Sequence, residues 1–307
     1  HGILHSFPTR RSSDLPHIKI APPWIVGSDG AGVVEAVGDA VTSVKVGDHV
    51  VLNPGKSCRQ CEYCTSGDSP LCLKYGIMGE HYSGTICEQL VVPEWNVVPI
   101  PAHIPMTEAA AFPLASLTAW RMMVSKARVR AGEHVLIWGI GGGVALQALQ
   151  IAKALGAHTW VTSGSDDKLA RAKALGADEV INHAQVDVGK EVRNRTSKRG
   201  VDVVIDSVGE KTWGQSLFAL GKRGRLVTCG GTSGPMLQMD VRRLFWNQWT
   251  IMGSTMGNEE EFAAAAGEFA RGQLHAIVDS VHDITHGADA YARLMSGEQF
   301  GKVVVSL

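Results

Sequence analysis

The sequence predicts an α/β protein made of a small β-rich domain and a second domain with a doubly wound parallel sheet. Three observations predict it. Short Val-rich runs bounded by Gly and Asp fill residues 24–52, and such runs read as strands. From His134 onward, continuous apolar runs alternate with helical stretches, the pattern of a parallel sheet covered on both faces. A glycine-rich loop, Gly139 to Gly143, joins the first of those strands to the first of those helices.

The elements follow in order. Strands are expected in 24–52 and again in 85–100, where Pro93 and Pro99 favour edges or turns. A cysteine-rich lobe spans 53–76, and 107–128 reads as helical. Strands HVLIWG (134–139), HTWVTS (158–163), DEVINH, VDVVIDSVG, RLVTCGG and TIMGST then alternate with helices that begin at 144 and 166, and a further helix covers 259–271. Residues 277–307 return to strand, helix and strand. The expected domains are 16–115 and 116–275, with 276–307 returning to the first.

Composition narrows the function classes. The 307 residues are 45% hydrophobic and 19% charged, with a formal net charge of −1. That composition is that of a soluble globular protein, with no basic footprint for nucleic acid or an anionic membrane. No apolar run reaches the roughly 20 residues of a membrane helix. Four of the six cysteines crowd into 58–72. This reads as a metal site in a reducing, cytoplasmic compartment, with disulfides as the alternative. Cys87 and Cys229 read as strand-borne structural thiols.

The segment His5 to Leu15, HSFPTRRSSDL, can be back-translated in frame into the read-one adapter of short-read sequencing libraries, and His1 to His5 fit the adapter upstream. Residues 1–15 are therefore expected to be translated adapter, with a truncation at about Pro16. A natural Ser/Arg-rich tail is the alternative. The 307-residue chain is accordingly expected to be poorly soluble and inactive, because missing strands leave an open sheet edge.

The loop Gly139-Ile140-Gly141-Gly142-Gly143-Val144-Ala145 lies between a strand and an apolar helix, the context of a dinucleotide phosphate loop. Glycines let the backbone approach a pyrophosphate, and the helix start offers free N–H groups. The register is G-x-x-G-x-x-A on Gly139, Gly142 and Ala145. An NAD site usually carries an acid at the end of the second strand. Here that strand ends Ser163-Gly164-Ser165, acids arrive at Asp166 and Asp167, and Lys168 follows. NADP(H) is expected over NAD(H), with Lys168 near the 2′-phosphate; a solvated helix lysine is the competing reading.

Cys58, Cys61, Cys64 and Cys72 form C-x2-C-x2-C-x7-C. Four thiolates close a tetrahedral zinc shell with no open position, so the expected role is one structural zinc.

Together these motifs resemble the medium-chain dehydrogenase/reductase superfamily from Pro16 to Leu307. The resemblance implies a GroES-like catalytic domain, incomplete here, a Rossmann cofactor domain, and a homodimer or homotetramer joined through the sixth Rossmann strand. The cysteine spacing is similar to the structural zinc lobe of its alcohol dehydrogenases. Those enzymes carry G-H-E-x-x-G where this chain reads Gly27-Ser28-Asp29-Gly30-Ala31-Gly32. Two catalytic zinc positions thus fall on Ser28 and Leu114, which are not zinc ligands. GSDGAG, the glycine loop and DSVG (206–209) resemble the quinone oxidoreductase branch. The resemblance further places Thr118, Gly230, Thr232, Ser254 and Met256 near the nicotinamide, and Ser207 and Val208 at the cofactor-facing end of the fourth strand. It puts His183 near the adenosine phosphate and Lys302 at the cofactor cleft.

These features imply NADPH-dependent hydride transfer to a quinone or an activated alkene or carbonyl without catalytic zinc. His81 and Tyr82 are the local proton-donor candidates. Two alternatives stand: a zinc alcohol dehydrogenase with ligands from His81, Asp29 or a preceding segment, and a non-catalytic NADPH-binding protein.

Overall fold

The computed structural model describes residues 5–6 and 23–307. The adapter reading of residues 1–15 and the boundary at Pro16 therefore lie outside the described residues, except for His5–Ser6. The chain divides into two compact units: one runs to Leu117 and resumes over Met256–Leu307, and the other is Thr118–Thr255.

In the first unit β1 (His5–Ser6) precedes β2 (Ala31–Val33), β3 (His49–Leu52), β4 (Gly55–Lys56), helix α1 (Glu62–Thr65), β5 (Gly76–Ile77) and β6 (Val97–Ile100). Strand β3 lies antiparallel between β2 and β6, so Val50, Val51 and Leu52 are buried. The short ribbon β4–β5 flanks the cysteine lobe. Residues 85–92 form no strand. Gly84, Thr85 and Ile86 instead give their N–H groups to Ile25, Gly27 and Val26 in an irregular crossing. Cys87 is thus a loop residue whose thiol is pushed up by burial.

The predicted helix 107–128 is three pieces: α2 (Met106–Ala111), α3 (Pro113–Trp120) and a π-helical turn, Arg121–Lys126. Pro113 lacks the N–H that would continue α2. The final turn widens to Ala127 N–H donating to Met122 O.

The second unit holds β7 (His134–Ile137), α4 (Gly143–Ala154), β8 (His158–Ser163), α5 (Asp166–Ala174), β9 (Glu179–Asn182), α6 (Val188–Arg195), β10 (Val201–Asp206), α7 (Glu210–Ala219), β11 (Leu220–Thr228), α8 (Val241–Asn247) and β12 (Thr250–Gly253). All six strands run parallel in the order β12-β11-β10-β7-β8-β9. This is the doubly wound sheet expected from the alternation. Trp160, Leu136, Val204 and Leu226 pack with Val188 and Val192 of α6 and Trp213 and Leu217 of α7. Cys229 lies one residue past β11 and is partly exposed.

The chain rejoins the first unit at Met256, ahead of the expected 276. Helix α9 (Glu259–Ala270) belongs there because Phe269 stacks on Phe112 with ring centroids 4.2 Å apart. Strand β13 (Val278–Asp283), α10 (Gly287–Ser296) and β14 (Lys302–Ser306) complete the unit. Strand β14 pairs parallel with β13 and antiparallel with β1. Among the described residues no helix is long and apolar enough to cross a membrane.

Candidate functional site

The sheet order reverses between β7 and β10, and in such sheets ligands bind outside the strand ends at the reversal. The glycine loop leaves β7 at that point. Gly139 and Gly141 have φ of +73° and +114°, values that L side chains rarely adopt. Gly142 is the N-cap of α4 and offers no side-chain hydrogen bond. Helices α5, α6, α8 and α9 are instead capped by Ser165, Asp187, Asp240 and Asn258. The first N–H groups of α4, from Gly143 and Val144 on, are thus left for an external acceptor, and the macrodipole favours an anion. Thr162 Oγ1 accepts from Gly139 N–H at 3.3 Å and steadies the loop.

The neighbouring strand ends carry most of the other expected cofactor residues. Ser163 closes β8, with its Oγ accepting from Ser165 N–H at 3.1 Å. His183, just past β9, covers Gly164, whose added Cβ would meet His183 Nε2 at 3.2 Å. Desolvation pushes the His183 pKa down, favouring the neutral ring. Lys168 sits in the first turn of α5, its N–H donating to Ser165 Oγ. Asp166 is already engaged, accepting from Asn182 Nδ2 at 2.7 Å and Gln185 Nε2 at 3.3 Å.

Ser207 and Val208 follow β10, Gly230 and Thr232 follow β11, and Ser254 follows β12. Val208 Cγ2 lies 4.0 Å from a Cβ placed on Gly139. Asp206, which sequence reasoning missed as a site residue, locks this turn. It accepts from the N–H groups of Val208 and Gly209 and from the hydroxyls of Thr212 and Ser216 at 2.7–3.1 Å. The Asp-Ser-Val-Gly string was its only signal. Thr118 belongs to the second unit, whereas Met256 and Lys302 belong to the first.

The four lobe cysteines bring their sulfurs within 4.8 Å of one another. Cys61 and Cys64 sulfurs are 3.5 Å apart, and those of Cys58 and Cys64 3.9 Å. A tetrahedral shell with Zn–S of about 2.3 Å requires sulfurs about 3.8 Å apart, so the set fits zinc. The N–H groups of Cys58 and Lys74 point at Cys72 Sγ, at 3.4 and 3.3 Å. The N–H groups of Gln60 and Cys61 chiefly lower Cys58 to about 6. Cys61 rises to about 11: the Cys64 N–H lowers it, but desolvation and the neighbouring thiols outweigh that. Four adjacent thiols resist ionising together, which is the condition a bound cation relieves.

The Gly27–Gly32 loop carries no comparable donor set. Among the described residues the cysteine cluster is the one group suited to a metal. Ser28 is fully buried and its hydroxyl has no hydrogen-bond partner among the described residues. Leu114 is a buried residue of α3 whose N–H donates to Asp29 Oδ1 at 2.5 Å. Asp29 Oδ2 accepts from Lys302 Nζ at 2.8 Å. Both oxygens of Asp29 are therefore committed. His81 Nδ1 accepts from Ile77 N–H at 3.1 Å, and Tyr82 lies under Lys56, 5.2 Å from Nζ to the ring centroid. Both candidate proton donors thus support the lobe's own turn.

Two family models match the chain: an alcohol dehydrogenase GroES-like domain over residues 10–102 and a zinc-binding dehydrogenase over 143–271. Crotonyl-CoA reductase of Streptomyces avermitilis is 32% identical over 96% of this chain and 71% of its own length. The crystal structure of an NAD-dependent alcohol dehydrogenase has a TM-score of 0.92 at 39% identity, covering 99% of this chain and 90% of that one. The 2-octenoyl-CoA carboxylase reductase CinF, solved with NADP and 2-octenoyl-CoA, has a TM-score of 0.85 at 32% identity, covering 92% and 68%. The chain belongs to the medium-chain dehydrogenase/reductase superfamily and is an NAD(P)H-dependent oxidoreductase.

Proposed function

We propose that this protein reduces an activated alkene or quinone with NADPH, without a catalytic zinc. The observation that carries the reading is the donor set at the catalytic positions: Ser28 and Leu114 cannot bind zinc, and Asp29 is held by Leu114 and Lys302. When bound, the dihydronicotinamide supplies the hydride. The free N–H groups of Gly143 and Val144 hold the pyrophosphate, on a loop that Gly139, Gly141 and Gly142 shape. Ser163, Gly164, Lys168 and His183 surround the adenosine end. Thr118, Ser207, Val208, Gly230, Thr232 and Ser254 line the nicotinamide side.

A conjugated acceptor suits such a site, because it takes hydride without the Lewis acid that an isolated ketone needs. The likeness to a crotonyl-CoA reductase and to an NADP-bound enoyl reductase supports the same class. NADPH is favoured because β8 ends in Ser163 and Gly164 without the acid that an NAD site places there, and Lys168 lies in the first turn of α5. The lobe holds one structural zinc.

The protein further pairs with a second copy through β12. That strand is a sheet edge, and Val241, Phe245 and Trp246 beside it are 61%, 64% and 77% exposed. Unpaired edges with apolar flanks are sites of association.

The test assays NADPH and NADH against quinones, enals, enoyl thioesters and alcohols, with zinc counted by elemental analysis. One zinc per chain and alkene or quinone reduction are expected. A second zinc together with alcohol oxidation would establish the other reading, which the 39% identity to an alcohol dehydrogenase favours. NADPH binding without any turnover would establish a non-catalytic protein.

A further inference from the structure

The C-x7-C spacing leaves a stretch, 65–71, clamped at both ends by ligand positions Cys64 and Cys72. It does more than close the lobe. Gly67 O accepts from Asn258 Nδ2 at 2.6 Å, and Ser69 Oγ donates to Glu259 Oε2 at 3.0 Å. Ser69 is buried. These bonds join the lobe to the start of α9, some 190 residues away in sequence.

The start of α9 is where the chain re-enters the first unit, at Met256. Met256 is buried and has φ +48°, an unusual conformation for a residue with a side chain. Such conformations persist where surrounding structure over-determines them. Gly257 is closed in as well: an added Cβ would collide with Leu117, the last residue before the chain leaves the unit.

Asn258 has two separable tasks. Its Oδ1 caps α9 by accepting from Glu261 N–H at 2.7 Å. Ser, Thr or Asp would cap as well. Only an amide also supplies the Nδ2 donor that reaches Gly67.

We propose that the cysteine lobe is a strap that holds the return segment Met256–Asn258, with Ser69, Asn258 and Glu259 as positioning residues. The metal fixes the ends of 65–71, and that stretch holds Met256 in its left-handed conformation.

The decisive variants are Asn258→Asp, which keeps the cap and deletes the donor, and Ser69→Ala. Amide hydrogen exchange is followed across 254–260, with zinc content and NADPH affinity measured on the same samples. Both variants should keep their zinc and exchange about fivefold faster in 254–260, the loss of roughly one hydrogen bond. Chelator-treated wild type should show the same loosening there as well as in 53–76. Unchanged exchange in 254–260 in zinc-loaded variants, or loosening confined to 53–76 after chelation, would overturn the strap.

Discussion

Lys302 Nζ lies 2.8 Å from Asp29 Oδ2, with the lysine side chain 4% exposed and the aspartate 0%. The pair ties β14 to the Gly27–Gly32 loop, and the second oxygen of Asp29 ties that loop to α3 through Leu114. Removing one partner of a buried pair strands the other charge, at a cost of about 3–5 kcal/mol. Lys302→Met and Asp29→Asn should each lower the unfolding free energy by that much, read from denaturant titration. The double variant should recover at least half the loss, because neither charge then remains. A loss in the double variant equal to the sum of the two single losses would show that the two residues act separately.

The cysteine lobe should melt on metal removal. Its stretch 57–75 is short of buried apolar side chains, with Leu73 91% exposed, so a bound metal would supply its folding energy. Cys64→Ser should drop the zinc content below one per chain and make the lobe the first site of proteolysis. A variant that retains a full zinc would place the metal elsewhere.

Acid should weaken the second unit through His134. Its Nδ1 accepts from Trp160 Nε1 at 3.0 Å. Desolvation, and then the charge of His158, lower its pKa from 6.5. A lowered folded-state pKa means that the unfolded chain binds the proton first. The contribution is therefore complete above about pH 6.5 and is lost as pH falls through the folded value. The melting temperature should decline from pH 7 to pH 5, and less steeply in His134→Asn. Parallel pH profiles in the two proteins would exclude this histidine as the cause.

Much of the second unit was legible in the sequence because each signal was local. Apolar runs gave the six strands, and glycines at 139 and 141 marked backbone that only glycine adopts freely. The cysteine spacing likewise identified the residues that meet at the lobe. The first unit was less legible because long-range bonds decide it. Residues 85–92 carry strand-forming side chains, yet the N–H groups of Thr85 and Ile86 go to an irregular crossing at Gly27 and Val26. Lys302 read as a residue of the cofactor cleft, and no local pattern announces its bond to Asp29, 273 positions away. Phe269 likewise joins the first unit through a stacking partner, Phe112, that no periodicity indicates.

Cofactor affinity and cofactor choice should separate at Gly141 and Lys168. Gly141 has φ +114°, so Gly141→Ala strains the loop and reaims the N–H groups that face the pyrophosphate. Since pyrophosphate is common to both cofactors, this change should weaken NADPH and NADH alike. Lys168 lies in the first turn of α5, where Asp166 is occupied by Asn182 and Gln185. A charge-assisted bond to a 2′-phosphate contributes about 1.5–3 kcal/mol, so Lys168→Glu should cost NADPH on the order of tenfold or more in affinity. NADH, which lacks that phosphate, should lose little. Fluorescence titration of both cofactors against both variants gives the four affinities needed. If Lys168→Glu keeps its NADPH affinity, the lysine is a solvated helix residue and the preference for NADPH has no support at this position.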